Sequence, residues 1–144
     1  MSQVQLKMSS DKEQRVDEFV FPQGIAGFPD AIRFGFIYEG RGSMVCMQSL
    51  DQPEAAFILT PWDEDRLGEQ PSLSQEQSSC LGMASDAEVI WMVVLNPFAD
   101  AEWVTANLKA PVAINMSSRR GVQCIRQEAG LDLRFQWMRQ PDKG

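Results

Sequence analysis

Apolar and polar residues alternate along much of this chain with a period of two, the spacing that lines one face of a strand and not one face of a helix. Val4, Leu6 and Met8 alternate with Gln5 and Lys7 and predict a half-buried first strand. A polar, charged link from Ser9 to Arg15 leads to Phe19-Val20-Phe21, an apolar run stopped by Pro22. Ile32, Phe34, Phe36 and Tyr38 then occupy every second position. Gly40-Arg41-Gly42-Ser43 reads as a hairpin turn, because glycine tolerates the positive φ that such turns need, and it opens into Met44-Val45-Cys46-Met47-Gln48. Further strands are predicted at Ala56-Phe57-Ile58-Leu59-Thr60, Glu88 to Leu95, Val112-Ala113-Ile114, Val122-Gln123-Cys124-Ile125 and Leu133 to Trp137, the last with Leu133, Phe135 and Trp137 facing inward. Val89 to Val94 is unbroken by polar residues, so this strand should be central and covered on both faces.

One helix is predicted, around residues 72–81. Ser72-Leu73-Ser74-Gln75 has the form of a capping box, in which a serine hydroxyl accepts from an orphan amide while the glutamine reaches back. Leu73, Gln77, Cys80 and Leu81 follow at about one-turn spacing, and Gly82 is a suitable stop. Trp62 to Pro71, the most polar stretch, reads as a surface loop. The fold class is therefore mainly β: a small antiparallel barrel-like or rolled sheet with one short helix.

Length and charge narrow the function. The 144 residues suit one domain spanning 1–144. A net charge of −7 disfavours direct nucleic-acid binding, which depends on Lys and Arg neutralising phosphates. The absence of a long apolar run predicts no membrane partner, and an N-terminus without an apolar leader predicts a cytoplasmic protein. Histidine is absent, which removes the usual general base, any Ser-His-Asp or Cys-His pair and the usual zinc sites. Cys46, Cys80 and Cys124 are too widely spaced for a ligand motif and read as buried, reduced thiols. No phosphate-binding glycine loop is present, so no metal, nucleotide or other cofactor is expected and no catalytic residue is assigned.

Two places combine aromatic and acidic residues. Trp62 precedes Asp63-Glu64-Asp65, and Trp103 follows Asp100-Ala101-Glu102. An aromatic anchor rimmed by charge is one way a protein interface is built; packing of both tryptophans on the core at strand ends is the other reading. The acidic triplet could bind a divalent cation, but adjacent acids without spaced partners more often form a solvated, mutually repelling loop. Gln48 and Asn107 could each meet a partner or bond loop backbone. Gln48, Trp62, Asp63, Glu64, Asp65, Asp100, Glu102, Trp103 and Asn107 are thus the candidate partner-binding residues. The competing functional class is a small β-barrel module that binds a small molecule, or a carboxylate-dependent enzyme, either of which needs an apolar cavity with converging polar groups. A purely structural, self-assembling subunit is a third.

The order of motifs resembles one family, the FliW flagellar assembly factors. The blocks are Phe21-Pro22-Gln23-Gly24-Ile25-Ala26-Gly27-Phe28, Gln48-Ser49-Leu50-Asp51-Gln52-Pro53-Glu54-Ala55-Ala56-Phe57, Thr105-Ala106-Asn107-Leu108-Lys109-Ala110-Pro111-Val112-Ala113-Ile114-Asn115 and Gly121-Val122-Gln123-Cys124-Ile125. The third is the most specific. The chain departs from the pattern at Gln52, where the family usually has an acid, and at Phe135, where it usually has a histidine. The resemblance implies a small antiparallel barrel-like fold without catalytic activity. It implies binding to CsrA, a dimeric RNA-binding translational repressor, with antagonism of its RNA binding, and mutually exclusive binding to flagellin, so that flagellin secretion frees the factor to relieve repression.

Overall fold

The computed structural model describes residues 15–38, 43–82 and 89–141. The expected strand through Val4, Leu6 and Met8 and the turn residues Gly40, Arg41 and Gly42 lie outside them. Eight strands and two short helices follow in order: β1 Arg15–Val20, β2 Arg33–Tyr38, β3 Val45–Ser49, β4 Ala56–Pro61, α1 Glu64–Leu67, α2 Gln75–Cys80, β5 Val89–Asn96, β6 Trp103–Asn115, β7 Arg120–Gln123 and β8 Phe135–Arg139. The sheet runs β5-β4-β3-β2-β1-β7-β6-β8, and an additional β5–β6 pairing closes seven of these strands into a barrel, with β8 hung on the outside of β6. Mainly β, antiparallel and barrel-like is thus the architecture found, with two helices where one was expected.

The Phe34 and Phe36 stripe of β2 points into the barrel, where it meets Phe19, Phe21, Met47, Leu59, Met92, Val112 and Ile114. Phe19 and Phe36 approach with ring centroids 4.5 Å apart, and Phe21 meets Phe34 edge-on at 5.2 Å. The interior is filled by these side chains. The unbroken run of β5 is explained by two covered faces. Met92 and Val94 face inward, Val89 and Trp91 lie under α2 with Leu81 and Val122, and Val93 and Leu95 lie under α1 and β8 with Val104 and Ala106. Ile90 alone of the run stands well exposed.

Strand β6 divides at a bulge. Met92 pairs with Val112, but Val94 pairs with Asn107, so residues 108–111 fall out of register. The Asn107 carboxamide oxygen accepts the Lys109 amide at 2.9 Å, while the carbonyls of Lys109 and Pro111 accept from Arg126 and Cys124. Before the bulge β6 pairs with β8; after it, with β7.

Four local expectations need correction. The capping box sits two residues later than expected: the Ser74 hydroxyl accepts from Gln77, and the Gln77 side chain accepts from the Ser74 amide. This register leaves Leu73 ahead of the helix and Cys80 at its end, both packed on the cluster that buries Leu81. Gly82 takes φ +81° just past the helix, as a stop should. The stretch from Trp62 to Pro71 is not loop throughout: Asp63 caps one turn, α1, by accepting from the Asp65 amide at 3.1 Å, and Leu67 tucks against the β5–β6 face. Leu133 is not inward but 59% exposed, because Asp132 folds the chain, its carboxylate accepting from Arg134 and its carbonyl from Leu108, before β8 begins. None of the three cysteines is in a disulfide, but only Cys124 is buried; Cys46 and Cys80 are half-buried. Burial, with a smaller contribution from nearby Cys80, pushes the Cys124 thiol up to about 12.

Between β1 and β7 the barrel is joined by a single parallel pair, Val20 with Arg120. Side chains seal the rest. A Cβ on Gly121 would lie 2.7 Å from both Cε atoms of Phe21, so glycine lets the ring lie flat on β7. Gln123 accepts from the Ala26 amide at 2.9 Å and donates to the Ala110 carbonyl at 3.3 Å. On the far side, Asp51 accepts the amides of Ile32 and Arg33 and the Arg33 guanidinium.

Two stability predictions follow from these contacts. Gly121→Ala should cost about 2–3 kcal/mol in urea unfolding through overpacking, whereas Gly27→Ala, at φ +88° with nothing within 4 Å, should cost about 1 kcal/mol of backbone strain; equal costs would refute the Phe21 contact as the seal. The Arg33 and Ile32 amides, then the Arg33 guanidinium, hold the Asp51 carboxyl below its ordinary value of 3.8. A carboxyl lowered in the folded state stabilises fully above its unfolded pKa and ceases to do so as pH falls through the folded one. Asp51→Asn should therefore lower stability at neutral pH, and the gap to the wild type should shrink as pH falls below 3.8.

Candidate protein-interaction surface

The aromatic and acidic candidates come together around β8. Trp62 is held twice: its amide donates to the Trp91 carbonyl at 2.9 Å and its indole Nε1 to the Gly68 carbonyl at 2.8 Å. The ring wedges between the two outer apolar clusters with one side left open. Asp63 spends one carboxylate oxygen on capping α1, while Glu64 and Asp65 project from the first turn into solvent. Negative charge suits this end of a helical turn, where unpaired amides point outward. These residues and Trp137 border an open depression of about 640 Å³.

Arg66 fastens α1 to β8. Its guanidinium donates to the Trp137 carbonyl at 2.7 Å and the Gln136 carbonyl at 3.3 Å, and it lies 4.1 Å from the Trp137 ring and 5.6 Å from that of Phe135. Phe135 is half-buried against the β5–β6 face. An aromatic ring there supplies apolar contact and a face for Arg66 where an imidazole would supply a titrating group.

Asp100, Glu102 and Trp103 stand at the β5–β6 turn. The Asp100 carboxylate accepts the amides of Glu102 at 2.7 Å and Trp103 at 3.1 Å. Trp103 is half-buried and pairs with Arg139 of β8, whose guanidinium lies 4.7 Å from the indole ring and 3.6 Å from the Glu102 carboxylate. Strand β8 thus connects the two acidic groups, with Trp137 beside one and Arg139 beside the other.

Gln48 and Asn107 are placed apart from this cluster and bond backbone. The Gln48 amide donates to the carbonyls of Ser49 and Pro53 at 3.1 and 3.0 Å, and the Ser49 hydroxyl accepts the amides of Asp51 and Gln52. With Asp51, they tie the 48–55 loop into one unit. Asn107 holds the β6 bulge.

Sequence reasoning missed Arg66, Trp137 and Arg139 as members of this surface. No local signal joins them: Arg66 and Trp137 lie 71 residues apart, and Trp103 and Arg139 meet only through the pairing of β6 with β8. Among the described residues no three Asp, Glu, Cys or His side chains converge to hold a metal, and no helix is long and apolar enough to cross a membrane.

The family model for the FliW protein matches residues 3–137. The flagellar assembly factor FliW of Azoarcus sp. (strain BH72) is 32% identical over 120 residues, covering 78% of this chain and 82% of that protein. That of Leptospira biflexa serovar Patoc is 28% identical over 116 residues, covering 79% and 76%. A crystal structure of the flagellar assembly factor FliW superposes with a TM-score of 0.70 at 25% identity, covering 83% of this chain and 84% of that one. With the family pattern running through most of its length and the same barrel beneath it, this chain belongs to the FliW family of flagellar assembly factors.

Proposed function

We propose that this chain, acting as one FliW-like domain in the cytoplasm, binds the translational regulator CsrA and antagonises its RNA binding. It also binds flagellin, so that flagellin translation follows assembly. It does this without catalysis. Family membership supports the flagellar role, and one observation carries the mode of action: charge and aromatic surface gather outside a barrel whose interior is already full. A barrel that binds a small molecule or performs carboxylate chemistry needs its converging groups inside.

The physical action is electrostatic. An RNA-binding surface must be basic where it meets phosphate. Asp63, Glu64, Asp65, Asp100 and Glu102, brought beside it, lower its positive potential and repel incoming RNA. At physiological ionic strength the field decays over about 8 Å, so these carboxylates act only if they dock close to the RNA path. Trp62 and Trp103 supply partly open aromatic surface next to the charge, the arrangement in which an anchor excludes water. Gln48 and Asn107 contribute by shaping the loops that border the barrel.

Calorimetry of the full chain against CsrA should show micromolar or tighter binding that an excess of cognate flagellin abolishes; no heat with either partner would reject the proposal. Glu64→Lys with Asp65→Lys, leaving the Asp63 cap in place, should slow association with CsrA about tenfold at low salt and flatten its salt dependence. Unchanged on-rates across a salt series would remove α1 from the interface.

A further inference from the structure

An apolar groove borders Met138 of β8 and the following Gln140, and none of the candidate residues above lines it. Met44, Ile58, Leu95, Val104, Met138 and Pro141 line it, enclosing about 350 Å³. It continues into a second hollow of about 300 Å³ that shares Ile58 and Leu95 and ends at Phe98. Phe98 is 91% exposed, the most exposed of the large apolar side chains described. Its place is fixed by a turn in which the Asn96 side chain accepts the Phe98 amide at 2.8 Å. The rim is fixed as well: the Gln140 side-chain Nε2 donates to the carbonyls of Pro97, Asp100 and Trp103. An apolar trough with a rigid rim and an aromatic ring held in water has the character of a binding surface. Met44 and Met138, unbranched and polarizable, give its walls the capacity to adapt to an incoming side chain.

Charge selects the occupant. At one end, Asp100 and Glu102 adjoin the Gln140 that bounds the groove. At the other, Ser43 lines the acidic depression and the next residue, Met44, lines the groove, which places Asp63, Glu64 and Asp65 across that boundary. Against these five carboxylates stand, among the described residues beside β8, two guanidiniums, Arg66 and Arg139, both already engaged with β8 carbonyls, aromatic rings or Glu102. We infer that the groove is a docking site for a short segment of a protein partner that presents a row of apolar side chains flanked by Lys or Arg. The apolar row fills the trough from Met138 to Phe98, and the basic flanks meet the carboxylates at its two ends. The inference rests on the reading of this chain as a protein-binding factor, but not on which protein supplies the segment.

The test is an NMR titration of the isotope-labelled full chain with two synthetic peptides of equal length, one of Leu and Lys and one of Leu and Glu, both patterned to be amphipathic. The Lys peptide should shift the resonances of Met44, Ile58, Leu95, Val104 and Met138 saturably, and the Glu peptide should bind at least about tenfold more weakly. Phe98→Ala combined with Met138→Lys should weaken the Lys peptide about tenfold while leaving the urea midpoint within error. Shifts confined to Asp63–Asp65, equal binding of both peptides, or no effect of the double substitution would overturn the assignment. So would self-association detected by sedimentation that the same substitutions abolish, or groove resonances that move when Val4, Leu6 and Met8 are changed to Asp in the absence of peptide. Calorimetry with CsrA and flagellin separates the two readings: a groove that ignores the peptides in a chain that still binds CsrA or flagellin retires only the groove, whereas a responsive groove in a chain that binds neither retires only the proposed function.

Discussion

Closing the sheet between β1 and β7 is the constraint on which the rest of this molecule depends. Only one backbone pair crosses that seam, so side chains complete it: Phe21 lies on the bare backbone of Gly121, and Gln123 ties Ala26 to Ala110. Once the barrel is closed, its interior takes one face of each of its seven strands. The other faces of β5 and β6 remain apolar and need cover, which α2 supplies at one end and α1 with β8 at the other. The elements that carry the acids and aromatics are therefore the ones that cover the outside of the barrel. The candidate interaction surface is a by-product of covering the second face of two central strands.

This arrangement explains why the most family-specific block of sequence lies away from the acidic cluster. Leu108 to Pro111 form the bulge at which β6 exchanges β8 for β7 as its neighbour. Asn107 and the carbonyls of Lys109 and Pro111 satisfy the backbone there. The block around Gln48 and Asp51 serves a similar end, with the side chains of Gln48, Ser49 and Asp51 spent on backbone. Where hydrogen-bonding groups leave a ladder and remain near the core, each needs a partner, and a fixed set of Asn, Gln, Ser and Asp supplies it.

Much of the architecture was legible from period-two patterning. The Phe34–Phe36 stripe, the two-sided run of β5 and the antiparallel pairing of β2 with β3 all appear where alternation puts them, because one buried face imposes that alternation directly. The capping box was legible in kind but not in register. Ser72 and Ser74 both precede a glutamine by three residues, and only the packing of Leu73 on a distant cluster decides between them. The single turn α1 was hidden by its polarity, although Asp63 before two acids and Gly68 after Leu67 are helix punctuation. Leu133 misled because the strand pattern continues through it, while a turn at Asp132 interrupts the backbone. The surface itself was half legible. The acids and Trp62 and Trp103 could be named from local sequence, but their convergence depends on β8 arriving from the far end of the chain with Trp137 and Arg139.

The account's central claim is that the molecule acts through the outside of a filled barrel, by charge and aromatic contact around β8. Hydrogen–deuterium exchange of the full chain with and without CsrA tests this most directly. Slowed exchange at residues 62–68 and 98–104 and along β8, with the amides of β1, β2 and β3 unchanged, is the predicted footprint. Protection centred on the 48–55 loop or the β1–β7 seam, with none around β8, would contradict it.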